Sequence, residues 1–129
     1  MSKLLSRAEA KHANVENNYV KIGEDDAFLD ETCFNLQQCI ELCLKYMVEM
    51  SGEEYVETHD IRAQINKLKS KEATIPCEQE LRKMATTLNS WEAESRYNDN
   101  FTALIDDIND ARKIADELIE HCKGIVQEI

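Results

Sequence analysis

The sequence has few residues that interrupt a helix and no stretch suited to a membrane. Three glycines and one proline occur among 129 residues, and these are the residues that most often end or kink helices. No apolar run approaches the roughly 20 residues of a membrane span, and the start lacks the long apolar stretch of a secretory signal. We therefore expect a cytoplasmic protein with long helices and no membrane partner.

Several motifs that mark common sites are also missing. The five cysteines form no C-x-x-C pair, which argues against a zinc site or a disulfide framework and favours reduced thiols. Neither phosphate-cradling pattern, G-x-x-x-x-G-K-[ST] or G-x-G-x-x-G, occurs, and the G-x-S-x-G nucleophile elbow is absent. We expect no bound metal and no cofactor.

One pair of possible metal ligands has a spacing used in di-iron bundles. Glu9 and His12 form an E-x-x-H pattern, but those bundles need the pattern twice together with two more glutamates. Glu117 and His121 do not supply the second copy, because they are four positions apart. His12 also lies on the apolar stripe of its segment, so a histidine packed in the core is the favoured interpretation.

Charge is distributed unevenly along the chain. A net charge of -11 disfavours broad, nonspecific adhesion to nucleic acid or to an anionic membrane. Lysines beside a helix N-terminus can nevertheless hold a phosphate, although a solvated basic surface is the commoner meaning of a basic stretch. The one such stretch, residues 61–71, has no acidic residue and contains Arg62, Lys67, Lys69 and Lys71.

Apolar residues recur at steps of three and four in five segments, which predicts an all-α fold. The second stripe, from Leu29 to Met50, is the most apolar and predicts a central helix packed on several sides. A short third helix is expected to start near 58–60, and Pro76 suits the first turn of the fourth. The remaining stripes run from Leu5 to Ile22, from Leu81 to Trp91, and from Phe101 to Ile125 after possible N-caps at 98–100.

No segment alternates with period two, and no internal repeat or low-complexity stretch divides the chain. We predict a single domain over residues 1–129. Its expected architecture is an antiparallel up-and-down bundle of four long helices plus one short helix.

Polar residues in three places offer candidate chemistry. The second helix is interrupted by Gln37, Gln38, Glu41 and Lys45, a strip that can face a partner subunit, a ligand groove or, most commonly, water. His59-Asp60 can carry a proton or contact phosphate, although helix capping is the commoner role. Arg96-Tyr97, expected in the linker before the last helix, can fork onto phosphate and stack, or simply form a cap salt bridge.

Three elements in this order resemble the HEPN family over most of the chain. Residues 33–45 are similar to its aromatic-x-x-Gln-Gln-x-x-Glu-Lys-x-x-Lys pattern, with Leu42 in place of the first lysine. Residues 58–61 match its Thr-His-Asp-aliphatic element. Residues 95–97 match its small-Arg-Tyr element, with Asn98 in place of the common proline.

The resemblance implies a bundle of four to five helices that often forms homodimers and binds nucleotide or RNA. Many such proteins pair with a minimal nucleotidyltransferase as toxin and antitoxin, and here that partner would be a separate protein. Carried over by position, the ligand-binding candidates are His59, Asp60, Arg96, Tyr97 and Lys45. Those expected nearby or at the dimer surface are Gln37, Gln38 and Glu41.

One departure from the family bears on catalysis. The ribonuclease branch carries Arg-x4–6-His near the final helix, but Phe101, Thr102 and Ala103 occupy the histidine positions after Arg96. Arg7-x4-His12 fits the spacing but lies in the wrong helix. Because the general acid or base is missing, we expect a binding module without catalytic residues. The alternatives are a toxin ribonuclease that uses His59 and a purely structural or adaptor bundle.

Overall fold

The computed structural model describes residues 2–127, with side chains described for residues 2–125. Within that range the chain is a bundle of helices without strands, which confirms the predicted fold class. None of the described helices combines the length and apolar character needed to cross a bilayer. The five helices are α1 (Leu4–Tyr19), α2 (Asp26–Met50), α3 (Ile61–Ser70), α4 (Glu78–Tyr97) and α5 (Ile105–Gln127).

Helix α2 is the centre of the bundle and contacts each of the other four helices. It starts cleanly, because the side chain of Asp25 accepts a hydrogen bond from the Ala27 N–H and caps the helix. Burial on several sides explains why its apolar positions exceed one stripe. The buried apolar side chains of α2 include Cys33, Leu36, Ile40, Cys43, Leu44 and Met47.

The inward stripes of the other helices largely follow the sequence prediction. The predicted inward residues of α3 and α4 are all buried, as are those of α5 from Ile108 to Cys122. In α1, by contrast, Ala8 and Val15 are buried but His12 is only half-buried. The interpretation of His12 as a core residue is wrong, because its ring Nε2 pairs with Asp116 Oδ1 at the surface between α1 and α5.

Two helix starts differ from the prediction. Helix α4 begins at Glu78, so Pro76 precedes the N-cap residue Cys77 instead of occupying the first turn. Helix α5 begins at Ile105 and not directly after residues 98–100, where the side chain of Asn98 accepts the N–H of Asn100 and forms a local turn. The apolar residues of 101–104 therefore continue the helical spacing without being helical.

The loop between α2 and α3 is fastened by one buried side chain. Gln64 of α3 is fully buried, and its Oε1 accepts the Val56 N–H at 3.1 Å. Its Nε2 donates to the Val56 carbonyl at 2.7 Å. The amide satisfies both polar groups of Val56 and so ties this loop residue, three positions before His59, to α3.

The cysteines are free thiols, and all but Cys77 are buried. Burial is the main cause that raises the pKa of Cys33 to about 12. Burial, followed by the nearby carboxylate of Glu117, raises the pKa of Cys77 to about 12 as well. These two thiols therefore stay protonated near neutral pH, and a protonated thiol is a poor nucleophile.

Candidate functional site

Glu41 is a buried carboxylate in the middle of α2, with only 3% of its side chain exposed. Its Oε1 accepts a hydrogen bond from Gln37 Nε2 at 2.9 Å, and its Oε2 accepts one from Lys45 Nζ at 3.1 Å. The helix brings these three side chains together, because residues four apart share a face. The Glu41 carboxylate is therefore held in one orientation by protein hydrogen bonds and is not surrounded by solvent.

Within the polar strip of α2, Gln37 and Glu41 are thus buried, whereas Gln38 and Lys45 are half-buried. Gln37 is fully buried and accepts a hydrogen bond from Gln38 Nε2 at 2.6 Å, while Lys45 lies over the Tyr55 ring at 5.0 Å from its centroid. Neither the solvated interpretation nor a dimer surface fits Gln37 and Glu41. Their partners lie within their own chain, where a charged group needs compensation.

His59 connects this buried carboxylate to helix α4. Its Nδ1 lies 2.9 Å from Glu41 Oε1, and its Nε2 lies 3.6 Å from Glu92 Oε1. Both ring nitrogens therefore face a carboxylate, although 59% of the side chain remains exposed. This arrangement fixes the ring plane while leaving the imidazole open to solvent.

Arg96 lies in the last turn of α4. The prediction that places it in the linker before the last helix is therefore wrong. Its Nη2 contacts Glu92 Oε1, and its Nε donates to the Glu92 carbonyl at 2.9 Å. The guanidinium carbon lies 4.7 Å from the Phe34 ring centroid and 4.8 Å from that of Tyr97. The guanidinium is thus held by one carboxylate and two aromatic rings.

Tyr97 and Asp60 differ in what they offer a ligand. Tyr97 is 75% exposed, so its ring offers a solvent-exposed surface while the Arg96 guanidinium contacts it. Asp60 Oδ1 accepts hydrogen bonds from the Arg62 N–H at 3.0 Å and from Asn89 Nδ2 at 2.8 Å. Asp60 is therefore the N-cap of α3, the commoner of the two roles expected from the sequence.

We call Glu41, Lys45, His59, Glu92 and Arg96 the His59–Arg96 site. Its two carboxylates balance its lysine and arginine, so the site is formally neutral with a neutral imidazole and positive with a protonated one. The buried pair from α2 lies underneath, while the imidazole and guanidinium lie toward solvent. An anionic ligand would meet these two groups first.

Glu92 was missed by sequence reasoning, although it joins the two halves of the site. The available signal was weak: Glu92 precedes Arg96 by four positions on a helix, a spacing that is frequent on solvated faces. Its contact with His59 depends on how the loop before α3 packs against α4. Tyr55, which covers Lys45, was missed for the same reason.

The three lysines of the basic stretch at residues 61–71 are paired with carboxylates away from this site, while Arg62 donates from Nη2 to Thr86 Oγ1 at 2.7 Å. Lys71 lies 2.6 Å and Lys67 3.9 Å from carboxylate oxygens of Glu53. Lys69 lies 3.1 Å from a Glu78 oxygen. The carboxylates compensate the charges of these lysines. The hydrogen bond from Lys71 is the main cause that lowers the pKa of Glu53. Local charge in the sequence therefore overstated the positive surface.

The motif positions for ribonuclease chemistry also fall outside the site. Phe101 to Ala103, where the histidine would stand, form an irregular connector between α4 and α5. Arg7 is exposed on α1, and His12 pairs with α5. Neither arrangement brings a histidine to Arg96. The histidine that the fold brings toward Arg96 is His59.

A cleft of about 480 Å³ lies elsewhere, between α4 and α5. Its charged lining alternates in sign and includes Glu80, Lys83, Asp110 and Lys113. The thiol of Cys77 at its edge stays protonated near neutral pH because its pKa is raised to about 12. These lining residues mix acidic and basic side chains, so they do not form a set that would recognise a ligand of one charge. The His59–Arg96 site is therefore the better candidate.

The fold and the site together define a small helical module with a histidine–carboxylate–arginine group at the junction of three helices. The profile of the HEPN domain matches residues 1–128, essentially the whole chain. The chain therefore belongs to the HEPN family, a family of nucleotide-binding and RNase-like modules. No curated protein and no solved structure matches the chain.

Proposed function

We propose that the chain binds a nucleotide or RNA through a phosphate at the His59–Arg96 site. The observation that carries the proposal is the position of Glu92 Oε1, an anionic oxygen that contacts both the imidazole and the guanidinium. A phosphate oxygen has the same charge and hydrogen-bonding capacity. Arginine also pairs with phosphate through two parallel hydrogen bonds.

The surroundings of Arg96 suit a nucleotide better than a bare anion. The exposed ring of Tyr97 lies beside the guanidinium, and a stacked base gains about 1–3 kcal/mol on such a ring. The Phe34 ring also contacts the guanidinium, 4.7 Å from its centroid, so the arginine is already ordered and loses little freedom on binding. Phosphate and base would thus be read by neighbouring residues of α4.

Lys45 and Glu41 support the site from beneath. Lys45 is only 12% exposed, so a direct ligand contact would require Glu41 to release it. Glu41 instead orients the His59 ring through Nδ1. We assign Glu41 and Lys45 as positioning residues, with His59, Arg96 and Tyr97 as the groups that touch the ligand.

The test is a titration of nucleotides and short single-stranded RNA against the wild type and Arg96→Ala. Binding is expected in the wild type and a loss of at least about tenfold in the variant, because a charge-assisted phosphate contact contributes about 1.5–3 kcal/mol. The matched control is Arg82→Ala, since Arg82 lies on the same helix and pairs with Glu78 four positions earlier. Equal affinity of all three proteins would overturn the proposal.

A second candidate function is an RNA-cleaving toxin in which His59 replaces the missing histidine. The observation that favours it is an exposed imidazole with a carboxylate at each nitrogen, an arrangement that can orient a proton carrier. Expression in a bacterial host would then arrest growth, and His59→Ala would relieve the arrest. Intact RNA after prolonged incubation with the wild type would exclude this function.

We also propose that the chain is a cytoplasmic homodimer and that a separate nucleotidyltransferase is a possible partner. Two large apolar residues lie exposed at the start of α5: Leu104 (70%) and Ile105 (49%). A second subunit would cover such a surface. Light scattering should give a dimer that Leu104→Asp dissociates. A monomeric wild type would contradict the dimer, and a stable dimer without any ligand response would favour the structural or adaptor role.

A further inference from the structure

Three metal-ligating side chains converge at the surface between α1 and α5. His12 Nε2 lies 2.6 Å from Asp116 Oδ1, and Glu16 follows His12 by one helical turn. One donor atom from each of the three residues lies within 4.8 Å of the others. The two helices thus bring an imidazole nitrogen and two carboxylate oxygens to one point from positions 104 residues apart.

The donor set and its spacing suit a divalent transition ion. Zinc binds histidine nitrogen and carboxylate oxygen at about 2.0–2.2 Å, which places neighbouring ligand atoms roughly 3 Å apart. The separation of His12 from Asp116 is already close to that value. Imidazole favours zinc and similar ions over magnesium or calcium, which prefer oxygen ligands alone.

The third ligand, Glu16, is held in place by Arg112, which also lies close enough to Asp116 to interact with its charge. Arg112 Nη2 donates to Glu16 Oε2 at 2.7 Å, and its guanidinium carbon lies 3.7 Å from the Tyr19 ring centroid. The Tyr19 hydroxyl in turn donates to Asn109 Oδ1 at 2.7 Å. Hydrogen bonds that orient a ligand are typical of metal sites, where they add to affinity.

Space for further ligands adjoins the cluster. A cleft of about 230 Å³ is lined by His12 and Asp116 together with Glu9, Glu120 and Lys123, whose Nζ lies 3.8 Å from Glu120 Oε1. Water molecules or the Glu9 carboxylate can therefore complete the coordination shell. With three protein ligands and an open side, the arrangement is that of an exchangeable site and not of a closed structural one.

We propose that His12, Glu16 and Asp116 form a binding site for Zn²⁺ or a similar divalent transition ion. The ion replaces the hydrogen bond between His12 and Asp116: His12 ligates through an unprotonated Nε2 and carries its proton on Nδ1. Arg112 keeps its contact with one Glu16 oxygen while the other ligates. The site is separate from the His59–Arg96 site and does not depend on the function proposed for it.

The test is a titration of the full chain with Zn²⁺ against a fluorescent zinc chelator, under reducing conditions. We expect one ion per chain, and His12→Gln should weaken binding at least about tenfold. Two controls should bind like the wild type. His121→Gln removes a histidine of α5 that is not part of the proposed site, and Cys77→Ser removes the cysteine that is not fully buried. Circular dichroism checks that each variant folds.

Two spectroscopic readouts separate this site from a thiol site. Zinc should shift the Nε2 resonance of His12 in a nitrogen-detected imidazole spectrum, and Co²⁺ should bind without a thiolate charge-transfer band. The proposal is overturned if His12→Gln binds zinc like the wild type, if Cys77→Ser abolishes binding, or if the Co²⁺ complex shows thiolate absorption. Nucleotide titrations of His12→Gln should match the wild type.

Discussion

His59 and Arg96 meet at a single atom, Oε1 of Glu92. One comes from the loop before α3 and the other from the last turn of α4. A carboxylate of the protein itself thus stands where an anionic ligand would bind both groups. In the proposed function, an incoming phosphate must displace it or share the imidazole and the guanidinium with it.

Replacing Glu92 with glutamine tests that competition. The amide keeps the size of the side chain but removes its negative charge, so an anionic ligand no longer competes with a carboxylate. We expect Glu92→Gln to bind nucleotide about threefold to tenfold more tightly than the wild type in calorimetric titrations. Glu78→Gln, which releases Arg82 in the same way, should not alter binding. Weaker binding by Glu92→Gln would contradict this competition and show that Glu92 mainly orients His59 and Arg96 for the ligand.

Removing the buried carboxylate should destabilise the fold. Glu41→Ala leaves Lys45 and Gln37 without their partner beneath the surface, and breaking a buried ion pair costs about 3–5 kcal/mol. Urea unfolding should therefore show a loss of about 3 kcal/mol. Glu49→Ala on the same helix serves as the control and should lie within about 0.5 kcal/mol of the wild type. Similar stabilities of both variants would contradict the assignment.

Asp60 offers a way to separate capping from ligand binding. Asp60→Ala should lower the free energy of unfolding by about 1 kcal/mol because the first turn of α3 loses its cap. Asp60→Ser keeps a side-chain acceptor and should restore most of that stability. If the capping role is the main one, nucleotide affinity of the folded protein stays unchanged in the serine variant. A loss of affinity without a loss of stability would instead place Asp60 among the ligand contacts.

The thiols predict an alkaline limit to stability. The pKa of Cys33 is raised to about 12 in the folded chain, whereas an unfolded thiol titrates near about 8.5. Between these values the unfolded state loses its proton first, so stability is full below the lower value and falls as pH rises above it. Urea midpoints should therefore drop between pH 7.5 and pH 9.5, and less so in Cys33→Ala. Native protein at pH 8 should also react with iodoacetamide far more slowly than protein in urea.

The sequence predicted the scaffold better than the site. Apolar stripes such as Ile61, Ile65 and Leu68 predict which face of a helix is buried, because the spacing that defines this face lies within one segment of the sequence. The start of α5 could not be predicted in this way. Phe101 and Leu104 keep the helical spacing, yet the turn at Asn98 ends α4 and delays the next helix.

Motif reasoning located His59 and Arg96 but not what joins them. Their neighbour Glu92 has no distinctive sequence context, and its role arises only when the loop before α3 packs on α4. The same holds for Asp116, which reaches His12 from the other end of the chain. Contacts between distant segments depend on how the helices pack, and the periodicity of one segment does not contain that information.

The amide of Gln64 has a consequence for movement. Since it bonds to both the N–H and the carbonyl of Val56, the loop that carries His59 is tied to α3 at that residue. A partner that tilted α3 would therefore pull on the segment that holds the imidazole at Glu41 and Glu92. The position of α3, the shortest of the five helices, is thus coupled to the His59–Arg96 site through the side chain of Gln64.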